Sequence, residues 1–372
     1  NATRRQRQMC IRDRGNTPAT VVLDAPVVIS SSELEAVWRP INYSGRFYGP
    51  TRMREALVRS MNLVSVRLLL FETGIGNAVR HIAKFGFGGA ALPHNGSLAL
   101  GGGAASPLDM AQGYAVLANG GRAVKPYVID AIYGPGGEAL YRADPAIACE
   151  ECAPDDDREP LFDDELAEEM TLEEMAEIAP DYRPDATVEP ELFADVNLAP
   201  QAVSRQNVFL VQDMMRDVIR RGTGRRALVL GRSDLSGKTG TSNDRRDAWF
   251  GGFNADLAAV VWIGYDDDLP LGPGEEGSRT ALPVWIDFAR IAFDGVPEHR
   301  MPMPAGIVSV LIDRETGCPA RAGQSNVVFE VFREDHVPEC DAAEELPDIF
   351  NDASGIDPVP DEETPEDEES LF

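Results

Sequence analysis

The chain reads as a mixed α+β protein, with both helical stripes and strand-like runs. Three observations predict this. Apolar residues recur at helical spacing in Met53, Leu57, Met61 and Val64, and again in Val208, Val211, Met215 and Val218. Two strand-like runs, 247–253 and 257–265, flank the short turn Asn254-Ala255-Asp256, as in a hairpin. A further strand at 307–312 runs into the turn Asp313-Arg314-Glu315-Thr316-Gly317.

Taken in order, residues 1–14 are basic in an acidic protein and have no helical or strand period. They read as a disordered or non-native leader. Residues 17–26 are extended and turn-rich. The stripe at 51–70 predicts a helix and contains Ser60-Met61-Asn62. A second short helix is expected at 75–85, then a glycine-rich loop at 97–103. Ser106 followed by Pro107 is an N-cap with proline at the first helical position, and Gly120-Gly121 ends that helix. Residues 124–141 read as a hairpin around Gly134-Pro135-Gly136-Gly137. Residues 153–195 are packed with aspartate and glutamate and broken by prolines, so a mobile acidic insertion is expected, with 166–178 fitting an acidic helix. Helical order returns at 204–222 and at 282–293. From 336 to 372 the acidic, proline-punctuated sequence predicts a disordered tail. The globular part is therefore expected at 15–335.

Composition narrows the partners. A chain of 372 residues with 43% hydrophobic content can bury a substantial core. Its formal net charge of −28 argues strongly against nucleic acid as a partner, since phosphates would be repelled. No apolar run approaches the ~20 residues of a membrane span, and no signal-peptide pattern opens the chain. As written it is expected to be soluble. Of the five cysteines, Cys149 and Cys152 form a single C-x-x-C, whereas a structural zinc site wants a second pair. A loop disulfide or two free thiols is the expectation there. Cys10, Cys318 and Cys340 show no usable pattern, and the four histidines are scattered. No metal or cofactor is expected.

The stretch Leu235-Ser236-Gly237-Lys238-Thr239-Gly240-Thr241-Ser242-Asn243 carries the chemistry. On a strand, Lys238 and Gly240 share one face, and Thr239 and Thr241 the other. A cation, small hydroxyls and bare backbone suit an anionic, peptide-like ligand, because glycine lets another backbone come close. A phosphate-binding loop is rejected: Gly231 and Gly237 are one residue too far apart, and Gly-Thr-Ser-Asn is a poor helix start. The alternative is the lysine-threonine-glycine box of penicillin-binding proteins and serine β-lactamases. Alone, such a lysine is most often a solvated strand edge, and Ser60 with Asn62 most often a helix break with local backbone bonds. Arg220, Arg221, Arg225 and Arg226 read as a solvated helix end.

Jointly, the motifs resemble a known family. Ser60-Met61-Asn62 and Lys238-Thr239-Gly240-Thr241 match two of its three boxes. The flanks Arg221-Gly222-Thr223-Gly224, Asn243-Asp244 and Asp247-Ala248-Trp249-Phe250 are similar to the transpeptidase domain of bifunctional, class A penicillin-binding proteins. So are Leu98-Ala99-Leu100-Gly101 and 115–121, and the similarity covers roughly 17–332 apart from the acidic insertion. The resemblance implies a penicillin-binding protein and serine β-lactamase-like fold, an antiparallel sheet flanked by helices. It implies cross-linking of peptidoglycan, in which a serine attacks D-Ala-D-Ala and the acyl-enzyme passes to an amine of a neighbouring stem. The partners it implies are peptidoglycan stem peptides and β-lactam antibiotics. Lys238 would supply positive potential, and the Thr239 and Thr241 hydroxyls beside Gly240 would hold the terminal carboxylate. The Thr241 N–H would be an oxyanion donor, Ser60 would relay a proton, and Asn62 would hold the substrate amide.

The family's first box, S-x-x-K, supplies the nucleophile and its base. No serine of this chain has lysine three residues on. That box, a glycosyltransferase domain, a membrane anchor at the periplasmic face of the inner membrane and the first sheet strands would all lie upstream. The chain is therefore expected to be an N-terminally truncated domain, with no nucleophile, inactive as written, and with one sheet edge unpaired. Alternatives are a non-catalytic binding module of the same fold, or a D,D-carboxypeptidase or β-lactamase-like hydrolase.

Overall fold

The computed structural model describes residues 15–29, 38–87, 92–148 and 197–340. The leader at 1–14, the cysteine pair Cys149 and Cys152, the acidic insertion and all but the start of the tail lie outside the described residues. The chain divides into a unit Asn1–Pro338 and a unit Glu339–Phe372, of which only Glu339 and Cys340 are described.

The first unit begins with a short antiparallel pair, β1 (Val21–Asp24) and β2 (Gly49–Arg52), where the sequence suggested only extended, turn-rich chain. The stripe at 51–70 is not one helix. It is α1 (Met53–Arg59), a break at Ser60, α2 (Asn62–Arg67) and one stretch of π-helix, Leu68–Thr73. The reason is local: Ser60 takes the left-handed conformation (φ 56°, ψ 54°), which ends α1. Helix α3 (Ile75–Ala83) follows as expected.

Helix α4 (Pro107–Ala118) carries a full capping box. Ser106 Oγ accepts from the Asp109 N–H, and Asp109 accepts from the Ser106 N–H. A hairpin, β3 (Ala131–Tyr133) and β4 (Ala139–Arg142), surrounds the predicted glycine turn. Helix α5 (Arg205–Arg221) buries Val208, Met215 and Val218 of the predicted stripe.

The central sheet is antiparallel, in the order β5 (Ser236–Thr241), β6 (Asp247–Phe253), β7 (Ala258–Gly264). Helix α6 (Ala281–Ala292) lies on one face and α4 and α5 on the other. Adjacent glycines of β6 make room for the two layers. A Cβ on Gly251 would lie 2.2 Å from the Tyr114 ring of α4, and one on Gly252 would lie 2.5 Å from the Trp285 ring of α6. On the α6 face, Phe250 and Trp285 stack edge-on at 5.1 Å within the largest core cluster. Burying two such rings supplies several kcal/mol, at about 25 cal/mol per Å² of apolar surface. Among the described residues no strand pairs the outer edge of β7.

Strand β8 (Ile307–Asp313) pairs with β9 (Val327–Arg333), a strand the sequence reading missed. Its Glu330 is only 2% exposed while its neighbour Phe329 is 70% exposed. Cys318 and Cys340 are both disulfide-bonded.

Candidate active site

Strand β5 displays the predicted alternation, and its two faces have different surroundings. Lys238 points to the α4 and α5 side. Its ammonium donates to Ser60 Oγ at 2.8 Å and to the carbonyl of Thr239 at 2.8 Å. Burial away from water pushes the Lys238 pKa down from its ordinary 10.5 to about 8.

Ser60 owes its position to α1. The left-handed turn aims its hydroxyl away from the helix axis, while the Ser60 and Met61 N–H groups bond back to Leu57 and Ala56. Helix α1 is in turn clamped by a buried ion network. Arg54 Nε donates to both Glu330 oxygens at 2.9 Å, and Arg54 Nη2 reaches Asp213 at 2.6 Å. Arg52 Nη1 donates to Glu330 at 3.0 Å. Arg221, exposed at the end of α5, also pairs with Glu55 and Asp217. A cavity of about 430 Å³ between α1, α5 and β9 is lined by this network and includes neither Ser60 nor Lys238.

The hydroxyls of β5 lie on the other face. Thr239 Oγ1 is 2.9 Å from Thr223 Oγ1, and Thr241 Oγ1 accepts from the Gly277 N–H at 3.1 Å. Gly277 sits against the strand so closely that a Cβ there would be 2.4 Å from the Gly240 carbonyl. The backbone direction follows from the ladder. The Ser242 N–H donates to Asp247 on β6, so by alternation the N–H of Thr241 points out from the free edge of β5.

Asn62 stands at the start of α2, and its amide donates to the Ile41 carbonyl at 2.9 Å. No bond joins it directly to Lys238 among the described residues. Residues 39–48 link the two sides instead. Asn42 is buried and bonded to Asp24 and to the Leu63 N–H, and Tyr43 Oη meets both Glu276 and Arg245. The sequence reading missed Tyr43, Glu276, Arg54 and Glu330. Only Asn42-Tyr43-Ser44-Gly45, with its turn chemistry, offered a local signal.

The site thus combines a half-buried cation touching a serine hydroxyl, two further hydroxyls and an outward N–H along one strand edge. Hydroxyls and an outward N–H beside a cation are donors of the kind a carboxylate or an oxyanion can accept from. Among the described residues no group of three or more His, Cys, Asp or Glu could hold a metal ion, and no helix is long and apolar enough to cross a membrane.

Comparison with known proteins names the family to which this fold and strand edge belong. Residues 18–266 match the penicillin binding protein transpeptidase domain, and the chain belongs to that family. Within it, the likeness is to penicillin-binding protein 1A. The chain is 40% identical over 355 residues to penicillin-binding protein 1A of Pseudomonas aeruginosa, covering 94% of this chain and 42% of that protein. The crystal structure of penicillin-binding protein 1A from Haemophilus influenzae superposes with a TM-score of 0.73 at 30% identity, over 89% of this chain and 47% of that one. The PonA1 protein of Mycobacterium tuberculosis in complex with penicillin V shares the fold, with a TM-score of 0.56 at 20% identity over 80% of this chain and 69% of that one. The chain spans less than half the length of either 1A relative. The expected α+β class and family stand.

Proposed function

We propose that this chain carries the stem-peptide recognition half of a peptidoglycan D,D-transpeptidase. The observation that carries the reading is the 2.8 Å bond from Lys238 Nζ to Ser60 Oγ, between residues 178 positions apart. In the reaction, a serine outside these residues attacks the D-Ala-D-Ala carbonyl. The acyl-enzyme is then passed to the amine of a second stem. Thr239 and Thr241 hold the terminal carboxylate, with Lys238 supplying the positive potential behind them. The Thr241 N–H receives the oxyanion, Ser60 relays the proton to the leaving amine, and Asn62 orients the substrate amide once it releases Ile41. β-Lactams occupy the same edge through their own carboxylate. The disulfide-bonded Cys318 and Cys340 support work in an oxidising compartment such as the periplasm.

The 372 residues contain no serine with lysine three positions on. The chain therefore binds these ligands without being acylated. Incubation with a fluorescent penicillin followed by denaturing electrophoresis should leave the protein unlabelled. A diacetylated lysyl-D-Ala-D-Ala peptide should still shift its NMR spectrum, reversibly and in competition with penicillin. A labelled band would refute the inactivity, and absence of any peptide binding would refute the recognition role.

A further inference from the structure

Thr223 belongs to the flanking stretch Arg221-Gly222-Thr223-Gly224, in the turn that closes α5, and has been given no role in the site so far. Two glycines hold it there. The N–H groups of Gly222 and Gly224 both donate to the Val218 carbonyl at 3.0 Å. Gly222 is pressed against the last turn of α1, where a Cβ would be 2.4 Å from the Val58 carbonyl, two residues before Ser60. The turn is thus wedged between the helix that carries Ser60 and the strand that carries Thr239.

A hydroxyl has one proton to donate and lone pairs to accept with. To grip a carboxylate, each threonine of β5 must spend its proton on the ligand. A donor behind it can then fill its acceptor side and fix the direction of that proton. At Thr241 the donor is the Gly277 N–H, which has no other choice of role. At Thr239 the group standing in the equivalent place is Thr223 Oγ1, 2.9 Å away. Among the described residues the Thr239 hydroxyl has no other hydrogen-bond partner. The two hydroxyls are then a matched pair, one backed by main chain and one by a side chain.

We propose that Thr223 is a positioning residue for carboxylate recognition: its hydroxyl donates to Thr239 Oγ1 and so turns the Thr239 proton toward the ligand's terminal carboxylate. This rests on the function proposed above and adds a residue that acts through Thr239 rather than by touching substrate.

The test uses the 372-residue chain, the diacetylated lysyl-D-Ala-D-Ala peptide and its C-terminal amide, with affinities read by calorimetric or NMR titration. The wild-type chain should prefer the acid to the amide. Thr223→Val keeps the shape and loses the donor; it should lose about tenfold in affinity for the acid and little for the amide. Thr223→Ser should stay within about threefold of wild type for both ligands. Acid binding by Thr223→Val equal to that of wild type would overturn the inference. So would an equal loss for acid and amide, the mark of a merely structural role. Thr223→Ala asks the same question should the valine variant not fold. If the wild-type chain itself fails to distinguish acid from amide, the recognition role falls and this inference with it. A chain that does distinguish them, with an unaffected Thr223→Val, sinks only the inference.

Discussion

Arg54 and Lys238 are two cations withdrawn from water within one unit, and they are treated in opposite ways. Arg54 is saturated with carboxylates: Glu330 on two nitrogens, Asp213 at 2.6 Å and Asp217 at 3.3 Å. Lys238 has only a serine hydroxyl and a backbone carbonyl, and no carboxylate among the described residues. The first arrangement locks a charge into the fold, because removing either partner strands the other in low dielectric. The second leaves a positive charge without a carboxylate partner, which the proposed function fills with the ligand's anion. One cation holds α1 in place, and the other uses the serine that α1 presents. Structural and functional charge can thus be told apart by whether the protein supplies the counter-ion.

The sharpest way to break this contrast is Glu330→Gln. It leaves Arg52 and Arg54 without their shared buried carboxylate and should cost about 3–5 kcal/mol of unfolding free energy in urea. A loss below about 1 kcal/mol would show that the network is solvated and not structural.

Lys238→Met is the opposite case. The folded pKa of Lys238, about 8, lies below its ordinary 10.5, so the protonated lysine opposes folding below about pH 8. That opposition is lifted as pH rises toward 10.5, where the side chain is neutral folded or unfolded. Removing the charge should therefore stabilise the chain at pH 7 by about 1–2 kcal/mol, the relief of desolvation less the two lost hydrogen bonds. The gain should fade between pH 8 and 10.5. Affinity of the wild-type chain for a D-Ala-D-Ala carboxylate should fall over the same rise, because the deprotonated lysine no longer attracts it. Melting curves and titrations at pH 7, 8 and 9.5 measure both effects; an affinity flat across that range would remove Lys238 from ligand binding.

The smallest effect is expected at Ser60→Gly. Glycine relieves the left-handed backbone but frees the unfolded chain and drops the bond to Lys238. These terms offset, leaving less than about 1 kcal/mol of change in stability. The Lys238 pKa should fall further, readable by NMR titration of the ammonium environment. An unchanged lysine titration would mean that Ser60 does not stabilise the charged form.

The residues themselves disclosed what depends on nearest neighbours in the chain. The stripe of α5, the β6–β7 hairpin, α6 and the Ser106 cap all follow from periodicity and local bonding, which act over a few residues. The two faces of β5 follow from the same period-two geometry. Folding in space decided the rest. The stripe at 51–70 reads straight through Ser60, because nothing local shows that a serine will adopt a left-handed turn. Strand β9 carries its glutamate inward and Phe329 outward, against the usual sense of alternation, since the partners of Glu330 lie 276 and 278 positions earlier. Thr223 gained a role only when α5 ended beside β5. Desolvation, charge pairing and the direction of a hydroxyl proton depend on which groups meet across hundreds of residues, and a linear order of side chains does not contain those meetings.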